Sequence, residues 1–292
     1  MKRPVFYFVL TALVIMIIGC AESQKDIDSS LLKGVKLSDL KPTVVPQLQP
    51  EIHFRMYTFD IPTENISSVE NMFKILRITP MRFVNYDAFR TNGFAAGFGQ
   101  IVIWDQLGDE LRKARALGRG TNVLIISGDA DDNIDIARIG EELSIFYVGT
   151  DGTIAEAGLA AGRIAWNIKA QPIAGQRGTA QVRIQPVFKS YKDERIAKLA
   201  GKKVSNQIEF ESSGFQLVMG EGDFVLMGPG QYDSKLSLDN LSLNLQGDFV
   251  DIEKSKDEQK DNFTLGDMFF KFHKKDGPVI RLYLIVFMGV KS

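Results

Sequence analysis

Apolar residues recur at helical spacing early in this chain and at alternate positions later. Ile66, Val69, Met72, Phe73 and Leu76 share one face of a helix, and such a face has to pack on something. Ser67-Ser68-Val69-Glu70 fits a capping box at its start, and Pro80 closes the unit. Trp104, Leu107, Leu111 and Ala114 form a second stripe, which predicts a helix over 103–117 with Gly118 as its stop. Residues 53–61 read as a strand ended by Pro62, 81–84 as a short strand, and 122–127 as another.

The period then changes to two. Residues 143–148 predict a strand, followed by the turn Thr150-Asp151-Gly152-Thr153, where Asp-Gly tolerates positive φ. Ile164, Trp166, Ile168 and Ala170 alternate with polar neighbours, as do Ala180, Val182, Ile184 and Phe188, with a hairpin loop over 172–178 between them. Both read as half-buried antiparallel strands. After a polar, basic stretch over 193–205 no helical stripe is visible. Phe215, Leu217 and Met219, then Phe224 and Leu226, then Leu236 and Leu238 alternate between glycines, and 251–262 reads as a charged loop. Residues 279–290 are apolar on both faces, which predicts a strand in the middle of a sheet. The fold class expected is α+β. An N-terminal module of two helices on an antiparallel sheet (51–192) precedes a mostly-β C-terminal module (193–292).

The first residues have a different logic. Lys2 and Arg3 precede an apolar run over 4–18, then Gly19 and Cys20. A cationic head, a hydrophobic segment and a small residue at the cut point make an export signal over 1–19. The run is shorter than the roughly 20 residues a spanning helix needs. Ile17-Ile18-Gly19-Cys20 resembles the lipobox of bacterial lipoproteins. The resemblance implies a diacylglycerol on the Cys20 thiol, cleavage before it, and acylation of the new amino group. Each buried methylene contributes roughly 0.8 kcal/mol, so two or three chains hold where one does not. An Asp after the cysteine marks inner-membrane retention in this family. Ala21 stands there, which implies the periplasmic face of the outer membrane. The next stretch, to residue 50, is rich in Ser, Asp, Lys and Pro and reads as a flexible tether, up to on the order of 100 Å if extended.

Cys20 is the chain's one cysteine, so the mature chain has no disulfide and no thiol nucleophile, and it must rely on its core. The formal charge of −1, made more acidic by loss of Lys2 and Arg3, leaves no electrostatic footprint for nucleic acid.

Candidate chemistry is thin. His53 and His273 have no carboxylate at a catalytic spacing, and no nucleophile or zinc-protease motif occurs. Asp129, Asp131 and Asn133 occupy the first three ligand positions of a calcium loop. Ile134 stands where the sharp turn needs glycine, and Gly140 where the loop needs its bidentate glutamate. They remain weak metal candidates, with a plain acidic loop expected instead. Gly93, Gly97 and Gly99 open a predicted helix, but the lysine and hydroxyl of a phosphate loop are missing, and a buried glycine loop is expected. Trp104 and Trp166 stand on apolar stripes and are expected in the core. Asn65, Asn240 and Asn262 head glycosylation sequons, which mean little in a bacterial protein.

Glu221-Gly222-Asp223 followed by 224–228 looks like a strand pair of the secretin family. Thr264-Leu265-Gly266-Asp267 and then 280–287 is similar to that family's closing segment. This resemblance implies a β-module related to outer-membrane secretion pores. The function expected is a binding or scaffolding role for an envelope protein partner, non-enzymatic and without cofactors. The alternatives are a carboxylate-only envelope hydrolase, for which two Asp/Glu suffice, and a secretin-like assembly component.

Overall fold

In the computed structural model, residues 50–126, 132–191, 207–230, 243–245, 250–252, 264–274 and 276–291 are described. The chain runs β1 (Glu51–Pro62), α1 (Ile66–Ile75), β2 (Arg82–Phe83), α2 (Tyr86–Thr91), β3 (Phe94–Gly99), α3 (Trp104–Lys113) and β4 (Leu117–Ile126). It continues through β5 (Asp132–Ile139), β6 (Leu143–Val148), β7 (Ile154–Leu159), β8 (Gly162–Pro172) and β9 (Thr179–Ser190). Then come β10 (Gln207–Glu209), β11 (Phe215–Gly220), β12 (Phe224–Pro229), β13 (Leu243–Leu245) and β14 (Val250–Ile252). Last are α4 (Leu265–Phe270), β15 (Lys271–Lys274) and β16 (Gly277–Lys291). The chain is mixed helix and sheet, dominated by antiparallel strands.

β16 takes the central place that its two apolar faces demand. The first sheet has the order β3-β12-β16-β1-β4, with β15 also on β16, and β1 pairs with β16 along its whole length. The second has the order β13-β14-β5-β8-β9-β11-β2, with β10 on β9. β6 and β7 form a separate hairpin around the expected Asp151-Gly152 turn, where Gly152 has φ 81°. One face of the first sheet, with Phe54, Val225, Ile285 and Phe287, meets Ile164, Trp166, Val182 and Leu217 of the second. Its other face, with Ile61, Leu226, Leu282 and Leu284, carries α1 and α3 through Val69, Met72, Leu107 and Ala114. The layers are therefore helices, sheet, sheet.

The expected division at 192/193 into a two-helix module and a mostly-β module does not hold. Both sheets interleave strands from either side of it, β1 with β16 in the first and β9 with β11 in the second. The cause is β16: a strand greasy on both faces must lie inside a sheet with a layer on each side. The first half supplies those layers and the neighbouring strand. The expected signal and tether lie outside the described residues, Pro50 apart.

Local expectations were corrected in instructive places. The Ser67/Glu70 capping box does not form, because a 3₁₀ turn over Thr63–Asn65 leads straight into α1 and leaves Ser67 already inside it. Asn65 instead donates to the Ala114 carbonyl at 3.1 Å, tying the start of α1 to the end of α3. Arg115, at φ 54°, turns the chain out of α3, and Gly118 belongs to β4. Residues 94–99, expected as a glycine loop, form edge strand β3. A Cβ on Gly97 would lie 2.6 Å from that of Leu76, so glycine is needed for the end of α1 to lie on the strand.

The short helix α4 was not visible as a stripe because nearly all of it is buried: Leu265, Met268, Phe269 and Phe270 plug the space between the sheets. Thr264 and Asp267 form a reciprocal capping box at its start. Trp166, deep in the core as expected, packs on Phe269 at 4.7 Å between ring centroids. The Tyr283 hydroxyl donates to the Phe269 carbonyl at 2.8 Å. Burial pushes the Tyr283 pKa far up, so it stays a donor and pins α4. Asn92, almost fully buried, ties the β6–β7 hairpin to the body by donating to the Val148 carbonyl at 2.9 Å and accepting from its N–H at 2.6 Å.

Candidate functional site

The helical layer stops short of one end of the first sheet. Across the helix-facing side of that sheet, register places Arg55 opposite Val286, Tyr57 opposite Leu284 and Phe59 opposite Leu282. On the other flank Tyr57 faces Gly120 and Phe59 faces Gly118. The aromatic rings lean over these edge glycines: a Cβ at Gly118 would meet the Phe59 ring at 2.8 Å, and one at Gly120 the Tyr57 ring at 3.3 Å. Tyr57 and Phe59 stack at 6.2 Å with planes 14° apart, and the Arg55 guanidinium stands 5.2 Å from the Tyr57 ring. Aromatics on an inner strand thus cover the bare backbone of β4, which stabilises an edge that glycine alone weakens.

Beyond the start of α3 this face is open. Tyr57, Ile101, Trp104, Val286, Phe287 and Met288, with Glu221 and Gly222, line a groove of about 570 Å³. The Trp104 ring packs on Phe224 at 5.5 Å and remains 37% exposed, so the expectation of a core tryptophan is corrected. Its position at the first residue of α3 leaves one side of the ring with no helical neighbour. The 3₁₀ turn before it presents Ile101 and Val102 at 69% and 82% exposure, and Met288 is 49% exposed. Exposed apolar side chains grouped beside a groove make this the candidate interaction surface. Its chemistry is apolar contact, with the Glu221 carboxylate and the Arg55 guanidinium beside it. The sequence did carry a signal: Ile101 and Val102 add two apolar residues ahead of a stripe that Ile103 and α3 already satisfy, a surplus no core position uses.

The other end of the same strand pair holds a buried charge cluster. Arg281 forks onto Asp60 at 2.7 and 3.1 Å, and Lys274 reaches the same carboxylate at 2.5 Å. Burial opposes ionisation of Asp60, but hydrogen bonds and charges from Arg281 and Lys274 outweigh it and hold its pKa below the ordinary value. The Arg281 guanidinium also lies 4.1 Å from the Phe272 ring centroid. Every partner faces another member of the cluster, so it reads as a structural tie between β1, β15 and β16.

Of the site residues expected from sequence, Asn133 alone lies among the described residues. Cys20, Asp129 and Asp131 lie outside the described residues. Asn133 belongs to β5, not to a loop. It sits opposite Asn167 and accepts from it at 3.1 Å, so its carbonyl oxygen is engaged across a ladder. Among the described residues no group of three potential metal ligands occurs. His53 Nε2 stands 3.3 Å from the Glu51 carboxylate, and His273 lies on β15 opposite Pro278. The stretch that resembles a secretin strand pair does not pair with itself. β11 belongs to the second sheet and β12 to the first, and Glu221-Gly222-Asp223 is the corner between them. Gly222, at φ 84°, donates to the Phe287 carbonyl at 3.0 Å, and Phe287 donates to the Asp223 carbonyl at 2.9 Å. The Leu265-Gly266-Asp267 stretch begins a helix rather than a turn. A carboxylate-only hydrolase needs two carboxylates about 5–10 Å apart; the groove is lined by one, Glu221.

No family model matches this chain, and no match was found among curated proteins or solved structures.

Proposed function

We propose that this chain is a lipid-tethered protein of the bacterial cell envelope that binds an apolar element of an envelope protein. Cys20 carries the acyl chains, residues 20–50 act as the tether, and the folded body works at the periplasmic face of the outer membrane. The observation that carries the binding role is the open groove of Tyr57, Trp104, Val286 and Met288, flanked by the exposed Ile101 and Val102. An apolar surface held near a membrane by a lipid foot meets its partner at high local concentration, so modest contact area suffices.

The test is mass spectrometry of the processed N-terminus combined with crosslinking from a photoreactive residue at position 101, in full-length protein expressed in a diderm bacterium. The expected result is a diacylglyceryl group on Cys20 and a crosslinked apolar peptide from an envelope protein. Trp104→Glu with Met288→Glu should abolish the crosslink and leave lipidation intact. An unprocessed, unmodified N-terminus overturns the tether. Crosslinks unchanged by the two groove substitutions overturn the binding role.

A further inference from the structure

A second cleft lies on the far edge of the first sheet, between α1 and α2. It encloses about 210 Å³, with Phe73, Leu76, Phe89 and Phe94 as apolar walls, Gly97 and Gly230 in its floor, and Arg77 and Arg90 among its lining. Neither arginine forms an ion pair with a described residue. Two guanidinium groups beside an apolar hollow are the recognition chemistry of a carboxylate attached to a greasy body.

The backbone adds a directional element. β3 is the last strand of this sheet. On its outer side Arg77 donates to the Phe98 carbonyl at 2.9 Å and accepts from the Phe98 N–H at 2.7 Å. Phe98 therefore turns its N–H and C=O away from β12. Backbone groups of an antiparallel strand alternate direction, so those of Ala96, two residues away, point to the same open side. Ala96 lines the cleft, and its partner across β12 is Met227 at a position without ladder hydrogen bonds. The bridge at Phe98 thus stops one rung short, leaving a donor and an acceptor on the open side of the strand, at a residue that lines the cleft together with both arginines.

We propose that this cleft binds the C-terminal residue of an extended peptide. The peptide backbone continues the Arg77–Phe98 bridge onto Ala96, its last side chain enters the hollow, and its terminal carboxylate meets Arg77 and Arg90. The volume suits one apolar side chain. Adding a strand at an open sheet edge, with pockets for alternate side chains, is an established way for proteins to read peptides. The tripartite match of edge backbone, apolar hollow and paired cations selects against ligands that offer one or two of these. A fatty acid has no backbone for Ala96, and an internal peptide segment has no carboxylate.

The test is fluorescence anisotropy of labelled pentapeptides against full-length protein in nanodiscs. The set is Thr-Val-Thr-Val-X with X as Val, Leu, Ile or Phe, each as free acid and as C-terminal amide, with octanoate as competitor. At least one free acid should bind about tenfold or more tighter than its amide, the scale of a charge-assisted pair. Arg77→Gln with Arg90→Gln should erase that difference, while Arg82→Gln, outside the cleft, should preserve it, with the Tm of both variants unchanged. Acids and amides of equal affinity, or no binding by any of the peptides, overturn the proposal. So does octanoate binding at this cleft while every peptide fails, which reassigns it to a fatty acid.

Discussion

Leu282 and Leu284 at one end of the central strand pair are fully buried, whereas Met288, four residues beyond Leu284 at the β-bulge of the same strand, is 49% exposed. The residues are chemically alike; the roof above them is not. α3 has ten residues and spans about 15 Å, while the twelve residues of β1 span about 40 Å. A helix of that length cannot cover its strand, and α1 lies beside α3 rather than ahead of it. One end is therefore closed, with a buried Asp60–Arg281–Lys274 tie on its other face. The opposite end is a groove. Where a layer stops, the same apolar pattern that builds a core leaves an open groove.

The sharpest way to break this comparison is at the closed end. Asp60→Ala leaves the half-buried Arg281 and Lys274 without their shared partner and should cost about 3 kcal/mol in denaturant unfolding. A smaller effect would mean that water reaches the cluster. The pH dependence has a definite sign. The folded pKa of Asp60 lies below its unfolded value, so its contribution is present above roughly pH 4 and fades as pH falls through the folded value. Asp60→Asn should flatten that acid limb, which stability measured from pH 6 downward will show.

Leu282→Ala should cost about 2–5 kcal/mol, as a cavity in a filled layer does. Met288→Ala should stay within about 0.5 kcal/mol, as exposed sites do. Equal losses at the two positions would show that the open end is covered in solution. Gly118→Ala tests the aromatic cover on β4. The new methyl meets the Phe59 ring, and about 1–3 kcal/mol should be lost. Gly140→Ala, with nothing within 4 Å, should change stability by less than about 0.5 kcal/mol. The smallest effect on stability is expected at Ile101→Ser with Val102→Ser, again within about 0.5 kcal/mol. There the informative readout is a fall in binding of a hydrophobic dye, since the groove loses its most exposed apolar rim.

Elements with a dry face and a wet face were legible. The stripes of α1 and α3, the alternation of β8 and β9, and the two-faced β16 all appear close to where the spacing put them. Elements surrounded on all sides were not: α4 has no polar face to set a period, and β3 replaces alternation with glycine because Leu76 and Phe224 press on it. β5 was hidden by acidic residues that sequence alone reads as a loop. The groove was half legible, through the surplus apolar pair at 101–102, and Trp104 was misplaced because a stripe does not say where its cover ends.

By itself the sequence determined which residues must leave water, the strand periods and the interior place of β16. Only the tertiary structure decided which halves share a sheet, where the helical roof stops, and which backbone edge borders the cleft of Arg77 and Arg90. The division has a physical cause. Hydrophobic periodicity is local and is written in the order of residues. Coverage, edge exposure and the meeting of distant charges depend on the lengths of layers relative to one another, which no single segment records.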